Sequence, residues 1–131
     1  MRFLIYEINH QTDSIVVSGV TAIGTLKGIW EAKEPPVIDT VYYVELTIDN
    51  LTELNTDQCA LSGPMVSAKN GDVVTFYGIC EDVDEDVCFV RFDTDWLEMI
   101  DISKLTFSKI KGDCISFSAD CHDITIYPYT L

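Results

Sequence analysis

The stretch that decides the fold reads DVVTFYGICE (Asp72 to Glu81), DVDED (Asp82 to Asp86) and VCFVRFD (Val87 to Asp93). In the first arm Val74, Phe76, Gly78 and Cys80 fall on alternate positions; in the second Cys88, Val90 and Phe92 do the same. A period of two marks extended chain, because successive side chains of a strand point to opposite faces. The polar run between the arms predicts a turn. The segment therefore reads as a β-hairpin with one apolar face.

Working outward, the same pattern recurs. Phe3 to Ile8 and Ser14 to Gly19 flank a turn-forming run, Asn9 to Asp13, and predict a first hairpin. In Gly24 to Glu31, Leu26, Gly28 and Trp30 share one face while Lys27 and Ile29 share the other. Pro35 and Pro36 then interrupt the ladder. In Thr40 to Asp49 the set Tyr42, Val44, Leu46 and Ile48 is expected to be buried. Trp96 to Ile102 extends the sheet or curls across its end, and Asp113 to Phe117 with Ile124 to Tyr129 supplies the last strands, Pro128 marking an edge. Leu51 to Gly71 is irregular, with a short helical turn expected near Thr52 to Gln58 and another within Ser103 to Lys111. The expected fold is mainly β: a small antiparallel barrel or sandwich, OB-like, with an extra terminal hairpin and one or two short helices. A single domain over residues 1–131 suffices, since 131 residues with 47% apolar content bury a substantial core.

Charge narrows the function. Twenty-two acids against eight bases give a net charge of −14, well beyond the roughly 2 to 8 typical of a soluble small domain. Nine of the 21 residues from Glu81 to Asp101 are carboxylates, and Arg91 is the one base among them. Nucleic acid is excluded as a partner because displacing phosphate counterions requires lysines and arginines, which here are few and scattered. A membrane surface is disfavoured on the same ground, and no apolar run reaches the roughly 20 residues of a spanning helix. The first eight residues meet Glu7 too early for a secretory signal, and five cysteines without a Cys-x-x-Cys pair fit a reducing cytoplasm.

Asp82, Asp84 and Asp86 have the spacing of the first calcium-loop ligands, but Val87 stands where glycine is needed and Asp93 where a bidentate glutamate belongs. Cys121 and His122 are adjacent, and in a strand they would point to opposite faces. Carboxylate pairs such as Asp93 with Asp95 are expected by chance in so acidic a run. No nucleophile elbow, phosphate loop or dinucleotide fingerprint occurs. The expectation is a non-enzyme with no cofactor and no metal. Among the aromatics, Tyr42, Phe76, Phe92, Trp96 and Phe107 read as core, whereas Trp30, Tyr43 and Tyr77 are candidate exposed anchors.

A small, strongly acidic, β-rich cytoplasmic chain without a catalytic motif resembles the bacterial immunity proteins that neutralise toxins of contact-dependent inhibition and related polymorphic systems. Gly24-Thr25-Leu26-Lys27-Gly28-Ile29-Trp30, the Pro35-Pro36 pair and Tyr43-Val44-Glu45-Leu46-Thr47-Ile48-Asp49 share the character of such proteins. The resemblance implies a basic, nuclease-type toxin domain as partner, occluded by an acidic surface. Composition by itself implies a basic protein partner for a monomer or weak dimer. The residues expected at the interface are Glu81, Asp82, Asp84, Glu85, Asp86, Asp93, Asp95 and Glu98, with Trp30 and Tyr43. The alternative is an OB-like module binding a small ligand, saccharide or peptide in its groove.

Overall fold

The computed structural model describes residues 1–57, 63–103 and 111–129. Eleven strands form one hydrogen-bonded sheet. Five of them close a barrel: β1 (Arg2–His10), β2 (Ile15–Thr21), β3 (Gly24–Trp30), β4 (Val41–Ile48) and the last strand, β11 (Ile124–Tyr129). The first three make an antiparallel meander. β4 pairs with β1, and β11 closes the ring, antiparallel to β4 and parallel to β3. Pro128 sits where this arrangement tolerates it. β3 pairs with β11 only at Thr125 and Ile126, so the missing N–H of Pro128 falls beyond the end of that strand.

The remaining strands lie between β4 and β11: β5 (Thr52–Asp57), β6 (Met65–Asn70), β7 (Val73–Asp84), β8 (Val87–Asp93), β9 (Trp96–Asp101) and β10 (Cys114–Asp120). The expected terminal hairpin is thus an internal six-strand insertion. The twelve-residue β7 organises it, pairing with β10 along Val73 to Ile79 and with β6 on its other edge. From Ile79 to Asp84 that second edge passes to β8, which carries β9. The hairpin is longer and its turn tighter than expected. β7 continues to Asp84, leaving Glu85 and Asp86 as the turn, with Glu85 in the left-handed region at φ 52°.

One helical expectation is corrected. Thr52–Asp57 is a strand, because Asn55 to Asp57 pair with Cys114 to Ser116 of β10 and that pairing overrides weak local helix propensity. Gln58 lies outside the described residues, as does most of the second expected helix, at 104–110. The helical element among the described residues is a single 3-10 turn at Cys121–Asp123, capped by the Asp120 carboxylate accepting from the His122 N–H at 2.9 Å.

The apolar faces read from the sequence meet in one continuous core. Leu26, Gly28 and Trp30 point inward with Phe3, Ile5, Val44, Ile124 and Ile126; in the insertion Phe76, Phe92, Trp96 and Phe117 form an aromatic cluster. Cys80 and Cys88 are fully buried with their Sγ atoms 3.0 Å apart, and Cys114 is partly buried; all three pack as small hydrophobes. Phe107 lies outside the described residues.

Barrel and insertion join at Gly24, which pairs with Val66 of β6 and has φ 138°; a Cβ there would stand 1.9 Å from the Val66 carbonyl oxygen. Gly24→Ala should therefore cost about 2 kcal/mol or more in unfolding free energy, a loss that urea denaturation would register. A loss under 0.5 kcal/mol would mean that the junction yields freely.

Candidate functional site: an acid-lined cleft between two strand edges

The acidic stretch does not form one patch. Val87 pairs with Asp101, and the Ile102 N–H donates to the Asp86 carbonyl, so Asp84, Glu85, Asp86 and Asp101 gather at the tip of the β7–β8–β9 ribbon. Asp93, the last residue of β8, and Asp95, in the β8–β9 turn, lie at its other end. At about 3.3 Å per residue, β8 separates the two groups by roughly 20 Å. Several of these acids also have local structural work: Asp82 accepts from the Val83 N–H, Asp93 from Thr94 and Asp101 from Ser103. Glu81 grips Arg91 with both oxygens, at 2.7 and 3.2 Å. The one base of the stretch is thereby consumed, and the bond holds the Glu81 carboxyl below the usual carboxylate range. Asp82, Asp84, Glu85, Asp86 and Asp95 are exposed, while Asp93 and Glu98 are half-buried.

Between the two acidic ends, a cleft of about 640 Å³ separates β9 from the second half of β4. Its walls are strand edges. On β4 the Val44 N–H and C=O bond to Met1, on the β1 side, whereas the Asp49 N–H bonds to Asp123, on the β11 side. Backbone groups alternate direction along a strand, so Leu46 and Ile48 turn theirs to the β1 side. β1 has no pairing there beyond Met1. On β9 the Ile102 N–H bonds toward β8; by the same alternation Ile100 and Glu98 face β8, and Leu97 and Met99 turn away from it. Among the described residues β9 has no partner on that side. Among the described residues, four thus present open backbone groups along one cleft.

The side chains add charge. Glu98 shares the inner face of β9 with the buried Trp96 and Ile100. Burial, opposed by the nearby Trp96 indole and aided by the charge of Glu45, raises its carboxyl pKa to about 7, with the Met1 amino group pulling the other way. The buried Trp96 indole N–H lies beside the Glu98 carboxyl and acts to lower its pKa, but among the described residues it closes no well-formed hydrogen bond. Asp95 lies 3.9 Å from the Met1 amino nitrogen. A half-buried carboxyl flanked by Glu45 and Asp95 makes a place for a cationic group.

No family model, curated protein or solved structure matches the chain.

The remaining sequence candidates lie elsewhere. Trp30 is buried, its indole N–H donating to the Glu34 carbonyl at 3.0 Å and its ring edge-on to Tyr42. Tyr43 is exposed beside Tyr129, ring centroids 6.5 Å apart, and Tyr77 is exposed on β7. Cys121 and His122 occupy a 3-10 turn and not a strand, which brings Sγ within 3.6 Å of Nδ1. They still form no nucleophile and base. Asp120 engages the same Nδ1 at 2.7 Å, Nε2 pairs with Gln11, and burial pushes the thiol up to about 11. Asp72 completes a group of ligand-type atoms within 4.8 Å of one another, but it is ion-paired with Lys27 at 2.9 Å. No helix of the described residues is long and apolar enough to cross a membrane.

Sequence reasoning named Glu98 but missed Trp96, Glu45 and the open edges. One signal was available, since Trp96, Glu98 and Ile100 alternate and so place a carboxylate on an apolar face. The edges depend on where β1 stops and on β9 lacking a second neighbour, and local sequence records neither.

Proposed function

We propose that this protein is an inhibitor-type binding domain that takes a basic protein partner against the β7–β8–β9 ribbon and the cleft beside it. Immunity-type occlusion of a toxin domain, nuclease-like in its basicity and met inside the cell, is the form this takes. One observation carries the reading: in a chain of net charge −14, a half-buried carboxyl lies between two open strand edges, and the nearby arginine is already paired. The exposed acids at both ends of the ribbon steer a lysine-rich surface into contact and set the association rate; contacts within the cleft set the lifetime. Leu97 and Met99, the latter 72% exposed, supply apolar contact between the charges.

The test is affinity capture from the source cell's lysate at low and high salt, with mass spectrometry of what is retained. A basic protein held at low salt and partly retained at high salt is expected. The combined Asp82→Asn, Asp84→Asn, Glu85→Gln and Asp86→Asn variant should associate with it about tenfold more slowly at low salt, with little change in dissociation. Capture indifferent to salt and to these four substitutions would overturn the reading.

A second reading, a groove for a saccharide or small ligand in an OB-like barrel, is favoured by a shallower depression of about 350 Å³ lined by Trp30, Tyr42 and Tyr129. Stacking on such a site is far less sensitive to salt than steered association, so ionic strength separates the two.

A further inference from the structure

The acidic ribbon accounts for attraction to a basic partner, but not for the two open edges that face each other across the cleft. An unpaired edge is a template for another strand and a liability that folded proteins usually cover. Here the outward N–H and C=O groups of Leu46 and Ile48 on one wall, and of Leu97 and Met99 on the other, converge on a single space. An extended segment lying between them would gain a ladder on each side, the arrangement by which sheet edges recognise peptides. Its side chains would alternate, one set turned toward Glu98 and the other outward past Glu45.

We infer that the cleft between β4 and β9 binds an extended segment of the basic partner as an inserted strand, with a lysine or arginine directed at Glu98. The inference rests on the basic-partner reading and names the part of the partner that enters. Charge complementarity selects the occupant. Glu98, Glu45 and Asp95 border the space, and the Met1 amino group is already hydrogen-bonded to the Val44 carbonyl. The Trp96 N–H, buried beside the Glu98 carboxyl, makes no well-formed hydrogen bond among the described residues.

Blocked hexapeptides and the full-length protein test this by calorimetry and by backbone amide NMR. An alternating Lys–Val peptide is compared with the same peptide N-methylated at alternate residues, which keeps every charge and removes backbone donors, and with a Glu–Val peptide. The Lys–Val peptide should bind saturably and shift the amides of Leu46, Ile48, Leu97 and Met99, while N-methylation weakens binding about tenfold. Met99→Pro deletes one outward N–H at an edge position that tolerates proline and should also cost about tenfold beyond Met99→Ala, which loses only the side-chain contact and keeps the N–H. Equal binding of the two lysine peptides, undiminished binding by Met99→Pro, or no binding of either lysine peptide would overturn strand insertion. Self-association abolished by Met99→Pro would overturn it too, by making a second copy the occupant. If Lys–Val and Glu–Val bind alike, strand insertion stands and the basic-partner reading fails.

Discussion

Phe76→Ala is expected to lower the unfolding free energy by about 3–5 kcal/mol, a large share of the roughly 5–15 kcal/mol that holds a domain folded. Phe76 is fully buried in the middle of β7, the strand that joins both halves of the insertion. Its ring stacks on Phe117 of β10, with centroids 4.9 Å apart and planes inclined by 18°, and meets Phe92 and Trp96 edge-on. Truncation removes the transfer free energy of the ring and leaves a cavity that three aromatic neighbours anchored in separate strands cannot close. It also loosens Trp96 at the base of the cleft. Urea denaturation of the variant would check this, and a loss under 1 kcal/mol would mean that the cluster repacks without Phe76.

Glu98→Gln should change how stability depends on pH. The Glu98 carboxyl, ordinarily at 4.5, is raised by burial to about 7 in the folded protein. Between those values the folded state retains a proton that the unfolded chain has released, so stability falls as pH rises through the window and is level above it. A displacement of about 2.5 pH units, at about 1.4 kcal/mol each, makes the cost of the buried charge about 3 kcal/mol at pH 8. Glutamine removes that term. The variant should match wild type near pH 4.5 and exceed it by about 3 kcal/mol at pH 8, as read by denaturation at a series of pH values. Glu81, Asp72 and Asp120 are held below the usual carboxylate range and titrate beneath this window, so they leave its slope alone. Parallel curves for wild type and variant would contradict a raised Glu98. A protein that keeps a carboxyl at this cost in a cleft is consistent with a site that awaits a cation.

The strands were legible because their signals are local. Val74, Phe76, Gly78 and Cys80, and the answering Cys88, Val90 and Phe92, alternate in the sequence and face inward in the fold. The same holds for Leu26, Gly28 and Trp30, and for Tyr42, Val44, Leu46 and Ile48, of which Val44 is buried and the others half-buried. Barrel closure was legible as a class, but the place of the insertion was not, because the pairing of β11 with β3 joins residues about a hundred positions apart. Thr52–Asp57 reads as a helical turn in isolation and becomes a strand because β10 is there to pair with it. The acidic residues were equally plain in the sequence, yet their grouping misleads: neighbours along the chain from Glu81 to Asp101 are divided between the two ends of a ribbon. What organises the cleft is the pair of strands that end or go unpaired beside it, and that is a property of topology.

Hydrogen–deuterium exchange of the full-length protein, with and without the captured basic partner, tests the central claim most directly. Binding in the cleft predicts slowed exchange at Leu46 and Ile48 on β4 and at Leu97 and Met99 on β9, whose amides have no partner among the described residues, with smaller changes at the Glu85–Asp86 tip. Protection confined to the tip, or to strands remote from the cleft such as β5, with these four amides exchanging as fast as before, would contradict it.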